Sequence, residues 1–215
     1  MSRFQYYRPN QMPPVVKGLL ITNVIVFIIQ LMGDSYGAGA PIPFSLTMKL
    51  ALWPIGAGFE IYQLATHMFT HGGFGHILFN MFALWTFGKM LETVWGPKRF
   101  LNFYLMCGLG AALVHLLVQY LEGGGAPTVG ASGAIMGVFA ACAYLFPNTE
   151  MYIMFIPVPV KLKWVAVAYI AIDLFGGFNP NGGGGIAHFA HLGGALTGFI
   201  IVLIWQKRGG RKRFY

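Results

Sequence analysis

Few side chains in this sequence can move a proton or attack a carbonyl, and the informative ones fall into three clusters. The first holds His67, His71, His76 and Asn80; His76 and Asn80 are four apart, so on a helix they share one face a turn apart. The second is Gly130-Ala131-Ser132-Gly133, and the third is Ala187-His188-Phe189-Ala190-His191 followed by Gly194 and Gly198. A serine hydroxyl is a weak nucleophile until a positioned imidazole takes its proton as attack proceeds. Acyl transfer then builds a negative oxygen that needs preorganised donors. His76 and Asn80 could supply side-chain donors, and a backbone N–H at the start of the Ser132 helix could add another. No carboxylate is well placed to orient His191, so the residues propose a Ser132–His191 pair rather than a triad. The bland alternative for Ser132 alone is a hydroxyl bonded to its own backbone.

The elements that must position these groups follow from composition. Hydrophobic residues make up 56% and charged residues only 9% of the 215 residues, where a soluble domain carries about 25% charged. Such a chain is expected to be an all-α polytopic membrane protein, a six-transmembrane-helix bundle, with spans at about 15–32, 75–94, 100–120, 130–146, 162–175 and 186–205. The fourth is short for a full crossing. The segment 33–74 is too apolar for an aqueous loop and is expected to lie in the membrane interface, and 206–215 is a basic tail.

Thirteen of the fourteen basic residues then fall on one side, with Lys49 alone on the other. That asymmetry puts both termini in the cytoplasm and the three clusters toward the outer side. It also accounts for the basic balance without nucleic acid; membrane lipids are the expected surroundings. An Ala38-Gly39-Ala40 triplet after the first apolar stretch is the mark of a weaker alternative, a cleaved signal peptide.

His191, Gly194 and Gly198 share a helix face, and Gly133 and Gly137 form a second small-residue pair beside Ser132. Such faces let helix backbones approach closely, so the fourth and sixth spans can bring a serine hydroxyl to an imidazole. The glycine-rich stretch 176–185 is expected to be a mobile loop. His188 reads as a helix-end histidine in a wet cavity, His115 as a satisfied packing histidine, Asp173 as interfacial, and Glu92 as a partner of Lys89 or the nearby basic turn. His67 and His71 have metal-ligand spacing, but no Cys, Asp or Glu lies near to complete a site, so no metal and no cofactor is expected. Cys107 and Cys142 sit in apolar runs and make no disulfide framework.

Together, the run His71 to Asn80, Gly130-Ala131-Ser132-Gly133, and Ala190-His191 with Gly194 and Gly198 resemble the rhomboid family of intramembrane serine proteases, over about 63–198. By that resemblance Ser132 is the nucleophile, His191 the general base, and His76, Asn80 and the Ser132 amide the oxyanion site. The substrates it implies are membrane-spanning proteins cut in or near the outer part of the transmembrane segment. It also makes 33–74 a membrane-embedded loop and the glycine-rich stretch a cap. Met136 stands where the family often has an aromatic residue packed on the base; a thioether can also pack there. The absence of further spans points to a minimal form in a prokaryotic plasma membrane. The competing readings are a non-proteolytic rhomboid-fold protein that binds client helices and a histidine-liganded metal or haem protein.

Overall fold

The computed structural model describes residues 11–36, 45–152, 158–178 and 188–208. Arg3, Arg8, Arg211, Lys212 and Arg213, the Ala38-Gly39-Ala40 triplet and most of the expected glycine-rich loop lie outside these. Of that loop, Gly176 and Gly177 belong to a helix.

Helix α1 (Pro14–Tyr36) begins on a proline at its first turn. Prolines fit there because the missing N–H would have had no helical partner. Short helices α2 (Leu46–Leu50) and α3 (Gln63–Thr66) follow, then a 3₁₀ turn at His67–Phe69. Helices α4 (Phe74–Ala83) and α5 (Lys89–Trp95) are joined through a π-helical turn at Leu84–Gly88 into one continuous rod. Gly96, at φ +78°, turns the chain into α6 (Pro97–Leu121). Next come α7 (Ser132–Leu145), a two-stranded antiparallel hairpin of β1 (Glu150–Tyr152) and β2 (Pro159–Lys161), α8 (Leu162–Phe178) and α9 (His188–Arg208). The hairpin is a small addition to an otherwise helical molecule.

At the centre is α7. Eleven of its 14 residues are buried, and α6 and α9 pack along it. At 1.5 Å per residue it is about 21 Å long, well short of a hydrocarbon core about 30 Å thick. Its surroundings compensate: α1, α6 and α9 each contain 20 residues or more that are apolar enough to cross. Large apolar side chains face outward on these helices, including Ile25 and Ile29 on α1, Leu109 and Leu113 on α6, and Ile200 on α9. In water this surface would be an aggregation liability; lipid is its natural solvent. The molecule is a polytopic helical membrane bundle.

The contact between α7 and α9 is made by glycine. A Cβ on Gly194 would fall on the Gly133 carbonyl oxygen, and one on Gly198 would lie 2.5 Å from the Gly137 carbonyl oxygen. Backbone therefore meets backbone, as the small-residue faces predict.

Glu92, expected to partner Lys89 or the nearby basic turn, binds backbone through both carboxylate oxygens. It is completely buried, and its two carboxylate oxygens accept the Val15 and Val16 N–H groups at 2.9 and 2.7 Å. Those donors belong to the first turn of α1, where no helical carbonyl can reach them and the helix dipole favours negative charge. A buried carboxylate gains more from two stranded N–H groups than from a lysine that water solvates well.

Candidate active site

The segment before α4 is held by side-chain amides rather than left as a loop. Gln30 on α1 accepts the His71 N–H and donates to the His71 carbonyl, both at 3.1 Å, and also donates to Thr47 Oγ1 at 2.8 Å. Thr47 in turn donates to Asp34 at 2.6 Å. Gln63 Oε1 accepts the Trp53 and Glu60 N–H groups. Leu52 and Thr128 exchange two backbone hydrogen bonds of 2.9 Å, which ties this segment to the chain entering α7.

His67 completes that tie. Its ring Nδ1 donates to the Gln63 carbonyl at 2.7 Å and its own carbonyl accepts the Gly130 N–H at 2.9 Å. Gly130 has φ +127°, a conformation that suits glycine. A Cβ there would also lie 2.6 Å from His76 Nε2 and 3.5 Å from Ser132 Oγ. The missing side chain is what lets the His76 ring sit against the turn that presents Ser132.

Burial pushes the His67 imidazole down from 6.5 to about 4, and burial together with neighbouring His76 does the same to His71, to about 4. Each folded-state value lies below the unfolded one, so between about 4 and 6.5 the unfolded chain binds more protons. The stability these neutral rings contribute is present above about pH 6.5 and is lost as pH falls toward 4, on the order of 3 kcal/mol for each ring. The melting temperature in detergent should therefore fall between pH 7 and pH 4.5, and less steeply in His67→Gln. An unchanged slope in that variant would contradict the assignment.

Ser132 is the first residue of α7. The preceding Ala131 provides no side-chain cap, so the first N–H groups of the helix remain available as donors. Ser132 Oγ lies 2.9 Å from His191 Nε2, which joins the two residues that the sequence paired. His76 occupies the first turn of α4, where its Nδ1 accepts the Gly72 N–H in a long bond of 3.4 Å. In the neutral ring that leaves the hydrogen on Nε2, the atom facing Gly130. Asn80, one turn further along, is buried, and its Nδ2 has no hydrogen-bond partner among the described residues. Met136 is buried in the core one turn after Ser132.

Three expectations need correction. Asp173 is not interfacial: it is 4% exposed, and its Oδ1 lies 3.1 Å from His191 Nδ1 and 2.9 Å from His188 Nδ1. A carboxylate is therefore placed on His191 after all. His188 is buried against that carboxylate rather than lying in a wet cavity. His115 is buried, but neither ring nitrogen has a hydrogen-bond partner among the described residues, so it is not a satisfied packing histidine. The reason for the first two is the same. The C-terminal end of α8 and the N-terminal end of α9 lie side by side, so an acid 15 and 18 residues before the histidines reaches both of them.

Fold and site together define a helical membrane bundle that carries a serine hydroxyl on an imidazole. A family model described as the rhomboid domain matches residues 58–208, and the chain belongs to the rhomboid family. It is 34% identical to presenilin-associated rhomboid-like protein A, mitochondrial, of Danio rerio over 68% of this chain and 39% of that protein. It is 35% identical to rhomboid protein 1, mitochondrial, of Saccharomyces cerevisiae over 61% of this chain and 38% of that protein. RHOMBOID-like protein 12, mitochondrial, of Arabidopsis thaliana is 30% identical over 93% of this chain and 60% of its own length. The chain thus spans less than two thirds of each of these relatives. All three are named as mitochondrial proteins, which overturns the expectation of a prokaryotic plasma membrane.

Proposed function

We propose that this chain is an intramembrane serine endopeptidase that hydrolyses peptide bonds in or near the transmembrane segments of membrane proteins. The observation that carries this reading is the 2.9 Å contact of Ser132 Oγ with His191 Nε2 at the start of a buried helix. Family membership supports it, and the names of the relatives support a mitochondrial membrane as the setting. The helices α1, the α4–α5 rod, α6, α7, α8 and α9 are the six proposed crossings.

In the reaction, Ser132 Oγ forms a bond to the scissile carbonyl carbon while its proton passes to His191 Nε2. The carbonyl π pair moves onto oxygen, where the His76 Nε2–H, the Asn80 Nδ2–H₂ and the Ser132 N–H are the proposed donors. An Asn80 donor with no protein partner suits an acceptor that arrives with the substrate. His191 then returns the proton to the leaving nitrogen as the C–N bond breaks, and water repeats the sequence on the acyl-enzyme. An intact helix hides its carbonyls in its own hydrogen bonds, so substrates with helix-breaking residues and a small residue at the cut are preferred.

The test is covalent labelling of the detergent-solubilised protein with a fluorophosphonate, alongside cleavage of a reporter helix containing glycine or proline. Labelling at Ser132 that disappears in Ser132→Ala is expected. Folded wild-type protein that neither labels nor cleaves would leave the chain as a non-proteolytic binder of client helices.

A further inference from the structure

We propose that Asp173 is a positioning residue of this site. Its carboxylate fixes the His191 ring with Nδ1–H turned to α8 and Nε2 turned to Ser132, and His188 holds the carboxylate in place. The inference deepens the protease reading and rests on Ser132 and His191 being the reacting pair.

A carboxylate oxygen only accepts, so the two ring nitrogens within 2.9 and 3.1 Å of Asp173 Oδ1 must both carry hydrogen. In a neutral imidazole that leaves His191 Nε2 bare, as it must be to accept the Ser132 proton across 2.9 Å. The opposite tautomer would present a hydrogen to the hydroxyl, and the pair could not react. When the proton arrives, the imidazolium forms beside a buried carboxylate, where little water screens the attraction.

Asp173 needs support of its own, and α9 provides it. The His188 Nδ1–H occupies the same oxygen from one helical turn before His191. A Cβ on Gly176 would fall on the His188 ring, so this glycine opens the space the ring fills. Asp173 and Gly176 are three apart and share the α8 face that meets α9. That face carries the carboxylate and the notch for its clamp. Ser132 from α7 faces the His191 ring, and among the described residues His76 from α4 and His115 from α6 lie near enough to feel its charge. A charge on either would oppose the imidazolium, which leaves Asp173 as the group that favours it.

The experiment uses the full chain in detergent, with reporter-helix kinetics and nitrogen-15 spectra of the histidine rings. Loss of an orienting carboxylate in soluble triads costs about 10⁴ in kcat; here Asp173→Asn is expected to lower kcat by about 10²-fold or more, with KM little changed. The spectrum should show His191 protonated at Nδ1 in the wild type and a mixture of tautomers in Asp173→Asn. His188→Gln, which keeps a donor, should retain more activity than His188→Phe, which fills the notch without one.

Wild-type kcat, or a His191 tautomer unchanged from the wild type, in Asp173→Asn would overturn the proposal. So would a fall in kcat that only tracks the loss of folded protein. If the wild type neither labels nor cleaves, the protease reading fails, while the nitrogen spectrum still decides whether Asp173 sets the His191 tautomer.

Discussion

His191→Ala should lower the turnover of a reporter helix by about four orders of magnitude or more, and Ser132→Ala should lower it as far. The two losses should not add. Nucleophile and base act as one unit, so the double variant should be no slower than the worse single one. Without the imidazole the Ser132 hydroxyl loses the base held 2.9 Å from its Oγ. Asp173 cannot substitute, because it reaches the site only through His191 Nδ1. Binding should survive, since neither substitution alters the exposed apolar faces of the bundle, so KM should change far less than kcat. The measurement is steady-state cleavage in proteoliposomes, with circular dichroism to confirm that both variants fold. A His191→Ala variant that keeps a tenth of wild-type turnover would remove His191 as the base.

Much of this arrangement is legible in the sequence because it is written in local spacing. Gly133 and Gly137 against Gly194 and Gly198 is a pattern within two helices, and it predicts the approach that brings Ser132 to His191. The charge deficit predicts a helical membrane bundle. What depends on the meeting of separate elements is not legible in that way. The sequence shows Asp173 as an acid near one end of an apolar stretch, and its partner follows only once α8 and α9 are laid side by side. The available signal was depth: an antiparallel pair joined by a short connection puts Asp173 level with His188 and His191, and an acid buried in a membrane helix needs such a partner. The partners of Glu92 are hidden from the sequence for a similar reason. Its acceptor capacity is taken by backbone donors of α1, and backbone donors carry no residue code. The membrane compartment is not a property of the bundle at all, since charge asymmetry gives orientation relative to a bilayer without naming the bilayer.

Gly194→Ala should be the most damaging single methyl that can be added to this molecule near the site. The new Cβ has nowhere to go: it would fall on the Gly133 carbonyl oxygen, which is backbone and cannot rotate aside. The helices must part instead. Overpacking a tight contact costs about 1–3 kcal/mol and sometimes more, so the melting temperature should fall. The larger effect should be on chemistry. Gly133 follows Ser132 directly and Gly194 lies one turn after His191, so the helices separate where the hydroxyl meets the imidazole. A displacement of about 1 Å can cost 10²-fold in rate, and that loss is expected in kcat for the molecules that remain folded. Gly198→Ala adds the same methyl one turn deeper, 2.5 Å from the Gly137 carbonyl oxygen. It should destabilise comparably but spare more of kcat, because the strain enters further from Ser132. Gly18→Ala is the control. Nothing lies within 4 Å of the added carbon on α1, and replacing a helical glycine there should stabilise by about 0.5–1 kcal/mol. Melting temperature and kcat measured across the three variants separate packing from alignment. If Gly194→Ala lost no more kcat than Gly198→Ala at equal stability, the close approach of α7 and α9 would hold the fold together without setting the distance between serine and base.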